Sequence, residues 1–532
     1  MPVVYPLIAL SVAAALLPSA LRPPPEQTSD SAALNPDAPP DEQQEEIVQA
    51  IQQAQGGAGG DETESTTTTA APNRPLASNR CFGNPPRQTE SVYSAPCAAA
   101  FTGNNGGATG HNVFPNEVRL GFWHAAGTPA AGKIGPEPAP NESAPTRTFR
   151  VLNAYVNQRF QTYGRRIQFY GLTGSSDPAA EQAAARKADA QDKIFAAYHL
   201  NLPFCEEFVR SAGPVFCNPN RASIYERNRP GFYSFMLDRT AAAGFGAEYV
   251  CKKLIGKNAV YSGTERNNLR KISVVTETSI DSAKMPVSEY DAALKKECGA
   301  AYGGRSYQFA AADATVALAA ATQMQASGTT TVVLEIGVVN TLLLMTAAST
   351  IGWEPEWVTI SAEATDFGSN AAILPPNQSR HLFGLTAWEV PRRYEESECF
   401  QAYKSIDQDN EPDSAVCRLF WHSIILMVDA IQQAGPRLDK ASFERGLFSL
   451  GHRYPVEPWA IGGGYGPGDY SYMDDVSEIW FSRFATNPDN GQPGAYAFTY
   501  NAKRFKRGEL PAGDDQLFQH GVTSVGGPDI RG

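Results

Sequence analysis

Residues 328–388 spell an uninterrupted strand–helix–strand–helix–strand, and that alternation leaves the chain few folds to choose from. Val332, Val333, Leu334 and Ile336 form a short, β-rich apolar run of the kind a parallel strand shows when both its faces are covered. A helix is predicted over residues 341–351. Asn340 offers a cap, Leu342, Leu343, Met345 and Ala348 make an apolar stripe, and Gly352 followed by Pro355 supplies the stop. Residues 356–360 read as the next strand, 366–374 as a polar helical segment and 380–388 as a third strand. Such units build open sheets, which bind ligands beyond the carboxyl ends of their strands.

The same alternation occurs earlier in the chain. A Gly/Asn-rich turn at 104–110 leads to a strand at 117–123, and Phe149, Leu152, Tyr155, Val156 and Phe160 mark a helix over 148–163 that Gly164 ends. Strands at 166–170, 194–198 and 214–216 alternate with helices at 179–193 and 203–212. A helix over 241–254 and a strand at 271–276 then open a second set. At 532 residues the chain exceeds one hydrophobic core. Two sets of units predict an α/β protein of two doubly wound lobes joined by a hinge and facing a cleft. The predicted crossings between lobes lie near 221–240, 361–366 and 385–392. A net charge of -12 argues against nucleic acid as a partner.

The eight cysteines include no CxxC and no His/Cys cluster of zinc spacing. Neighbours fall into four close pairs, Cys81–Cys97, Cys205–Cys217, Cys251–Cys298 and Cys399–Cys417, and the expectation is a disulfide in each, as in an exported protein; reduced core thiols are the alternative. Residues 3–21 are almost wholly apolar, long for a signal core and just long enough to span a bilayer, and the first positive charge, Arg22, lies beyond them. Residues 1–21 are therefore read as a signal peptide or membrane anchor, the chain's one expected contact with a membrane. Residues 22–80, rich in Pro, Glu and Thr, are read as a disordered linker.

Motifs for chemistry are missing. There is no Gly-x-Ser-x-Gly elbow, no His-Glu-x-x-His and no P-loop; Gly462 to Gly468 lacks the closing Lys-Ser/Thr and reads as a flexible turn. Asp469, Asp474 and Asp475 could offer oxygen ligands to calcium, but their spacing is not that of an EF-hand, and a solvated acidic turn is the preferred reading. His124 and His199 with Glu277 are the one grouping that suggests acid–base chemistry. No cofactor, no metal and no enzymatic activity are expected.

Several phrases resemble the type I periplasmic solute-binding proteins, the leucine/isoleucine/valine-binding-protein-like group, and most of all their long exported versions in high-GC Gram-positive bacteria. These are Cys97 with 101–109, Arg186 to Ala190, Gly328 to Leu334, Gly352-Trp-Glu-Pro-Glu-Trp-Val358 and Gly466 to Ser471. The resemblance covers roughly residues 81–510, with lobe 1 at about 111–235 plus 366–385, lobe 2 at about 236–365 plus 389–500, and 511–532 as a tail. It implies extracytoplasmic capture of a small polar solute (amino acid, amide or organic acid) between hinged lobes and delivery to an ABC permease. A membrane-anchored sensor of the same fold, or less readily an α/β hydrolase, is the alternative.

The resemblance also places the ligand on loops that follow strands. Those are Trp123, His124, Tyr198, His199 and Asn201 in the first lobe, and Thr276, Glu277, Glu335, Ser361, Glu363 and Trp388 in the second. Glu277 or Glu335 suits an ammonium, Thr276 and Ser361 suit a carboxylate, and the two tryptophans suit aromatic walls. Helix capping by the polar residues and core burial of the tryptophans are the competing roles.

Overall fold

The computed structural model describes residues 80–531 apart from 83–85, 125–131, 212, 218–229, 278–286, 300–303, 310–312, 362–364, 456, 458, 489 and 514–515. The proposed signal segment and almost all of the linker thus lie outside the described residues, as does Glu363; of Glu277 only the backbone is described. The chain divides into two compact units. One runs up to Met236 and resumes from Arg392 to Asp474; the other comprises Leu237–Pro391 and the chain from Asp475 onward.

The first unit begins with a hairpin of Cys81–Phe82 and Arg87–Gln88. Its main sheet contains β1 (Glu117–His124), β2 (Arg166–Thr173), β3 (Ala196–His199), β4 (Val215–Cys217) and β5 (Phe232–Tyr233) in the order β2-β1-β3-β4-β5, all parallel, with Gly132–Lys133 antiparallel on β2. Helices α1 (Ala144–Arg159), α2 (Pro178–Ala190) and α3 (Leu202–Ser211) connect them. The first helix starts four residues before the predicted 148, because Ser143 caps it through Thr146 N–H and a proline occupies its first turn.

The chain then enters the second unit with α4 (Arg239–Tyr249), β6 (Ile272–Glu277), α5 (Val287–Cys298), β7 (Arg305–Phe309), α6 (Ala314–Ala326), β8 (Thr331–Glu335), α7 (Val338–Thr350), β9 (Glu356–Ile360) and β10 (Leu382–Thr386). These strands are parallel in the order β7-β6-β8-β9-β10. Gly337, not Asn340, caps α7, so the helix starts at Val338 and Asn340 is buried within it. Gly384 has φ +141°, and a Cβ there would lie 2.0 Å from Thr359 O, so only glycine lets β10 lie this close to β9.

From Arg392 the first unit gains α8 (Glu398–Lys404), α9 (Ser414–Ala434) and α10 (Lys440–Phe448). By length and composition α9 could cross a membrane, yet it is mostly buried. Its Phe420 joins Phe122, Phe149 and Phe169 in an aromatic core with centroid separations of 4.7 Å (Phe122–Phe169) and 5.1 Å (Phe149–Phe420). The second unit is then completed by β11 (Asp475–Thr486), antiparallel to β10, followed by β12 (Pro493–Phe498), β13 (Arg504–Lys506) and the outer pairs Gly521–Val522 and Asp529–Ile530.

Three sequence-based boundaries need correction. Residues 366–385 belong to the second unit, because β10 pairs in parallel with β9 and continues its sheet rather than leaving it at 361–366. Of 389–500, the stretch Arg392 to Asp474 belongs to the first unit, so the third passage lies at Asp474–Asp475. Residues 511–532 are no tail: Val522 pairs with Phe498 at the edge of the sheet.

All eight cysteines are in disulfides: Cys81–Cys97, Cys205–Cys217, Cys251–Cys298 and Cys399–Cys417. The Gly352–Val358 phrase is a packing element. Trp353 and Trp357 are fully buried and meet edge to face at 5.9 Å.

Candidate functional site

Parallel strands bring their carboxyl ends to one edge of each sheet, and the described residues among those named from the sequence lie at or just past these strand ends. In the first unit β1 ends at Trp123 and His124. His124 is buried with its ring 5.2 Å from Phe149, and burial lowers its pKa to about 4. Trp123 is half-buried, and its indole Nε1 has no hydrogen-bond partner among the described residues. A Cβ at residue 174 would lie 2.1 Å from that nitrogen, so Gly174 is what lets the indole lie across the backbone.

The end of β3 is a packed network. Tyr198 is fully buried, edge-on to Phe420 at 4.9 Å. His199 is also fully buried and stacks on Phe204 at 3.9 Å. Its Nδ1 accepts from Asn201 N–H at 3.1 Å, which puts the ring proton on Nε2, 3.6 Å from Glu181 Oε2. The Asn201 amide donates to Ser175 O at 2.9 Å and to Glu181 Oε1 at 2.5 Å. Burial lowers the His199 pKa to about 3 and raises that of Glu181, so the imidazole is neutral at ordinary pH. Tyr198, His199 and Asn201 thus tie β3 to α2 and α3.

The corresponding edge of the second unit is arranged differently. Thr276, one residue before the end of β6, lies beside Glu335 of β8 in register, and both are buried. Ser361, just past β9, holds φ at +63°, a left-handed conformation that non-glycine residues rarely keep without constraint. Its hydroxyl accepts from Ala387 N–H at 2.8 Å and donates to Asp366 Oδ2 at 2.8 Å. Thr386, at the end of β10, accepts from Trp388 N–H at 3.1 Å and donates to the same Oδ2 at 2.6 Å. Asp366 is 6% exposed. Among the described residues its other oxygen, Oδ1, has no hydrogen-bond partner, nor have the buried Thr276 Oγ1, Thr365 Oγ1 and Ser477 Oγ. Burial raises the Asp366 pKa against the two hydroxyls and its own backbone N–H, which favour the charged form, and no ion pair reaches it among the described residues. Trp388 is partly exposed, 4.8 Å from the Phe367 ring.

Sequence reasoning missed Asp366, Thr365, Thr386 and Ser477. An Asp at the start of a helical segment ordinarily reads as a cap, and Ser477 is opposite Thr386 only because β11 returns from elsewhere in the chain. The acidic cluster also resolves differently. His452 Nε2 lies 2.9 Å from Asp469 Oδ2 and 3.4 Å from Asp474 Oδ2, so a histidine joins those two carboxylates. Asp475 is not solvated: it is buried and paired with Arg504 at 2.7 Å.

No family model and no curated relative matches the chain. Solved structures do. A substrate-binding protein of an ABC transporter from Aeropyrum pernix aligns at 13% identity over 74% of this chain and 96% of its own, with a TM-score of 0.51. A periplasmic binding protein from Burkholderia mallei aligns at 13% identity over 75% of this chain and 98% of its own, with a TM-score of 0.50. The chain therefore has an α/β, type I periplasmic-binding-protein-like fold.

Proposed function

We propose that this protein is a non-enzymatic, extracytoplasmic solute-binding protein that captures a small polar solute bearing an ammonium group, such as an amino acid, for an ABC permease. One observation supports this reading above the others. Asp366 is a buried carboxyl with one oxygen saturated by two hydroxyls and the other without a hydrogen-bond partner among the described residues. A buried carboxylate without a cation is costly, and an ammonium supplied by a ligand removes that cost. The unpartnered hydroxyls of Thr365, next to Asp366 in sequence, and of Ser477, opposite Thr386, suit the polar remainder of the solute, with Ser361 and Trp388 in the same network. Trp123 is proposed as a ligand contact on the first unit's own edge. Four disulfides suit an oxidising compartment.

Thermal-shift screening of amino acids, amides, polyamines and organic acids tests this. A ligand at a hundred times its Kd adds about 2.7 kcal/mol to stability. An ammonium-bearing solute is expected to raise the melting temperature of the wild type, and Asp366→Asn is expected to weaken its binding about 100-fold. A panel in which only anionic solutes bind, or an Asp366→Asn variant that binds as the wild type does, would overturn the assignment.

A further inference from the structure

We propose that Arg504 is the positioning residue for Asp366, acting through the backbone of Ala387 and Trp388. Thr386 lies opposite Ser477, and Ser477 lies opposite Arg504, so the three form one rung across β10, β11 and β13 and share a face of the sheet. Along that face the buried guanidinium crosses β11. Nη2 donates to Ala387 O at 2.7 Å, Nη1 to Trp388 O at 2.8 Å and Nε to Asp475 Oδ1 at 2.7 Å.

The two residues whose carbonyls Arg504 holds are the two whose amides orient the site. Ala387 N–H donates to Ser361 Oγ at 2.8 Å, and Trp388 N–H donates to Thr386 Oγ1 at 3.1 Å. A hydroxyl that accepts from a fixed amide has its own proton left to donate. Here both protons go to Asp366 Oδ2, at 2.8 and 2.6 Å. One planar fork therefore fixes two hydroxyl rotors that jointly hold one carboxylate, leaving Oδ1 for a ligand. A lysine cannot reproduce a fork with three donors in a plane. The same guanidinium anchors Asp475, where the chain re-enters this unit, and Trp388 lies three residues before it leaves at Pro391.

This inference rests on the reading of Asp366 as the ligand's acceptor, but its test needs no ligand. The ionisation of Asp366 is followed in the full chain as the difference in stability against pH between each variant and the same variant carrying Asp366→Asn. Besides the hydroxyls of Ser361 and Thr386, the titratable group facing Asp366 among the described residues is Tyr496 on β12, whose phenol donates to Thr365 O at 2.8 Å and whose pKa burial raises well above the ordinary value. Arg504 and Asp475 act from behind the 387–388 backbone.

Arg504→Lys is expected to move the Asp366 midpoint up by about one pH unit, because hydrogen bonds to the charged form are loosened. Ser361→Ala should give a comparable shift, and the two together should add little to either. Asp475→Asn serves as a second variant that keeps the arginine and loosens its anchor, should Arg504→Lys not fold. An unshifted midpoint in the folded Arg504 or Asp475 variant, with Ser361→Ala shifted, overturns the positioning role. Shifted midpoints in a protein that binds no amine support the positioning role and refute the ligand assignment. Where an amine binds, Arg504→Lys should lower its affinity about tenfold.

Discussion

His199 in the first unit and Asp366 in the second are buried titratable groups near the carboxyl ends of parallel strands, but they are held differently. Around His199 the chain supplies a facing partner: Phe204 covers the ring, Asn201 N–H fixes the tautomer, and Nε2 lies 3.6 Å from Glu181 Oε2, opposite it but beyond hydrogen-bond distance. Around Asp366 no such partner is supplied among the described residues, and Oδ1 and the hydroxyls of Thr365 and Ser477 have no hydrogen-bond partner there. Strand-end position alone therefore does not mark a binding residue. The useful distinction is whether an ionisable partner within the chain faces the buried group: Glu181 faces His199, and no ion pair reaches Asp366 among the described residues. A buried group that the chain faces with its own partner holds the fold; one left unfaced is open to a partner from outside, at a cost to the ligand-free protein.

The two units also differ in how they are stapled, and this comparison carries the largest expected effect. The first unit has three disulfides with sequence separations of 16, 12 and 18, whereas the second has Cys251–Cys298 with a separation of 47. Closing a longer loop removes more entropy from the unfolded chain, about 4 kcal/mol for the long one against about 3 for each short one. Replacing both Cys251 and Cys298 by serine should lower the urea midpoint of the oxidised protein further than replacing Cys205 and Cys217. An equal or smaller loss would show that the short staples hold strained or otherwise unstable structure.

The next effect concerns acid. The pKa of His199 is lowered from 6.5 to about 3 by burial, so the folded protein binds fewer protons than the unfolded chain between those values. Stability from this group is fully present above pH 6.5 and is lost as pH falls, by about 2 kcal/mol at pH 5. His199→Gln should flatten the stability–pH curve by that amount between pH 7 and pH 5, whatever its effect at pH 7. A curve parallel to the wild type would place a charged imidazole in the folded protein.

Asp366 has the opposite sign. Its folded pKa lies above the ordinary value, so the native state keeps the proton longer and stability falls as pH rises through the folded pKa. Asp366→Asn should therefore stabilise the ligand-free protein at neutral pH, by about 1 kcal/mol, while weakening ligand binding. Destabilisation instead would mean that the charge is already answered within the chain.

How much of this was legible depended on the distance over which pairing occurs. The strand at 356–360 occupies the predicted residues, and β1 and β2 begin where predicted, because each is a short apolar run bounded by turn residues. Ser361, Thr276, Glu335 and Trp388 could be placed at strand ends for the same local reason. The role of Asp366 could not, since it depends on Thr386 and Ser361 together with the φ of +63° at Ser361. Ser477 and Arg504 lay further out of reach. Their strands join the second unit only after the chain has passed through the first, and antiparallel partners so distant leave no local pattern.

The smallest effect returns to the first unit's edge, where Trp123 departs from its neighbours. Tyr198 and His199 are sealed into the core, but the Trp123 indole N–H is buried without a partner among the described residues. Leaving such a donor unpaired costs about 1 kcal/mol in the ligand-free protein. Phenylalanine keeps most of the ring's contact area and removes the donor, so Trp123→Phe should leave the melting temperature unchanged or slightly raised. If the indole only lines a ligand, affinity should fall less than about threefold, and if it donates to the ligand, the loss should be nearer tenfold. Isothermal titration of the two proteins with the solute found by screening separates these outcomes. Unchanged affinity together with a lower melting temperature would return Trp123 to the core, and the first unit's edge would then be packing throughout.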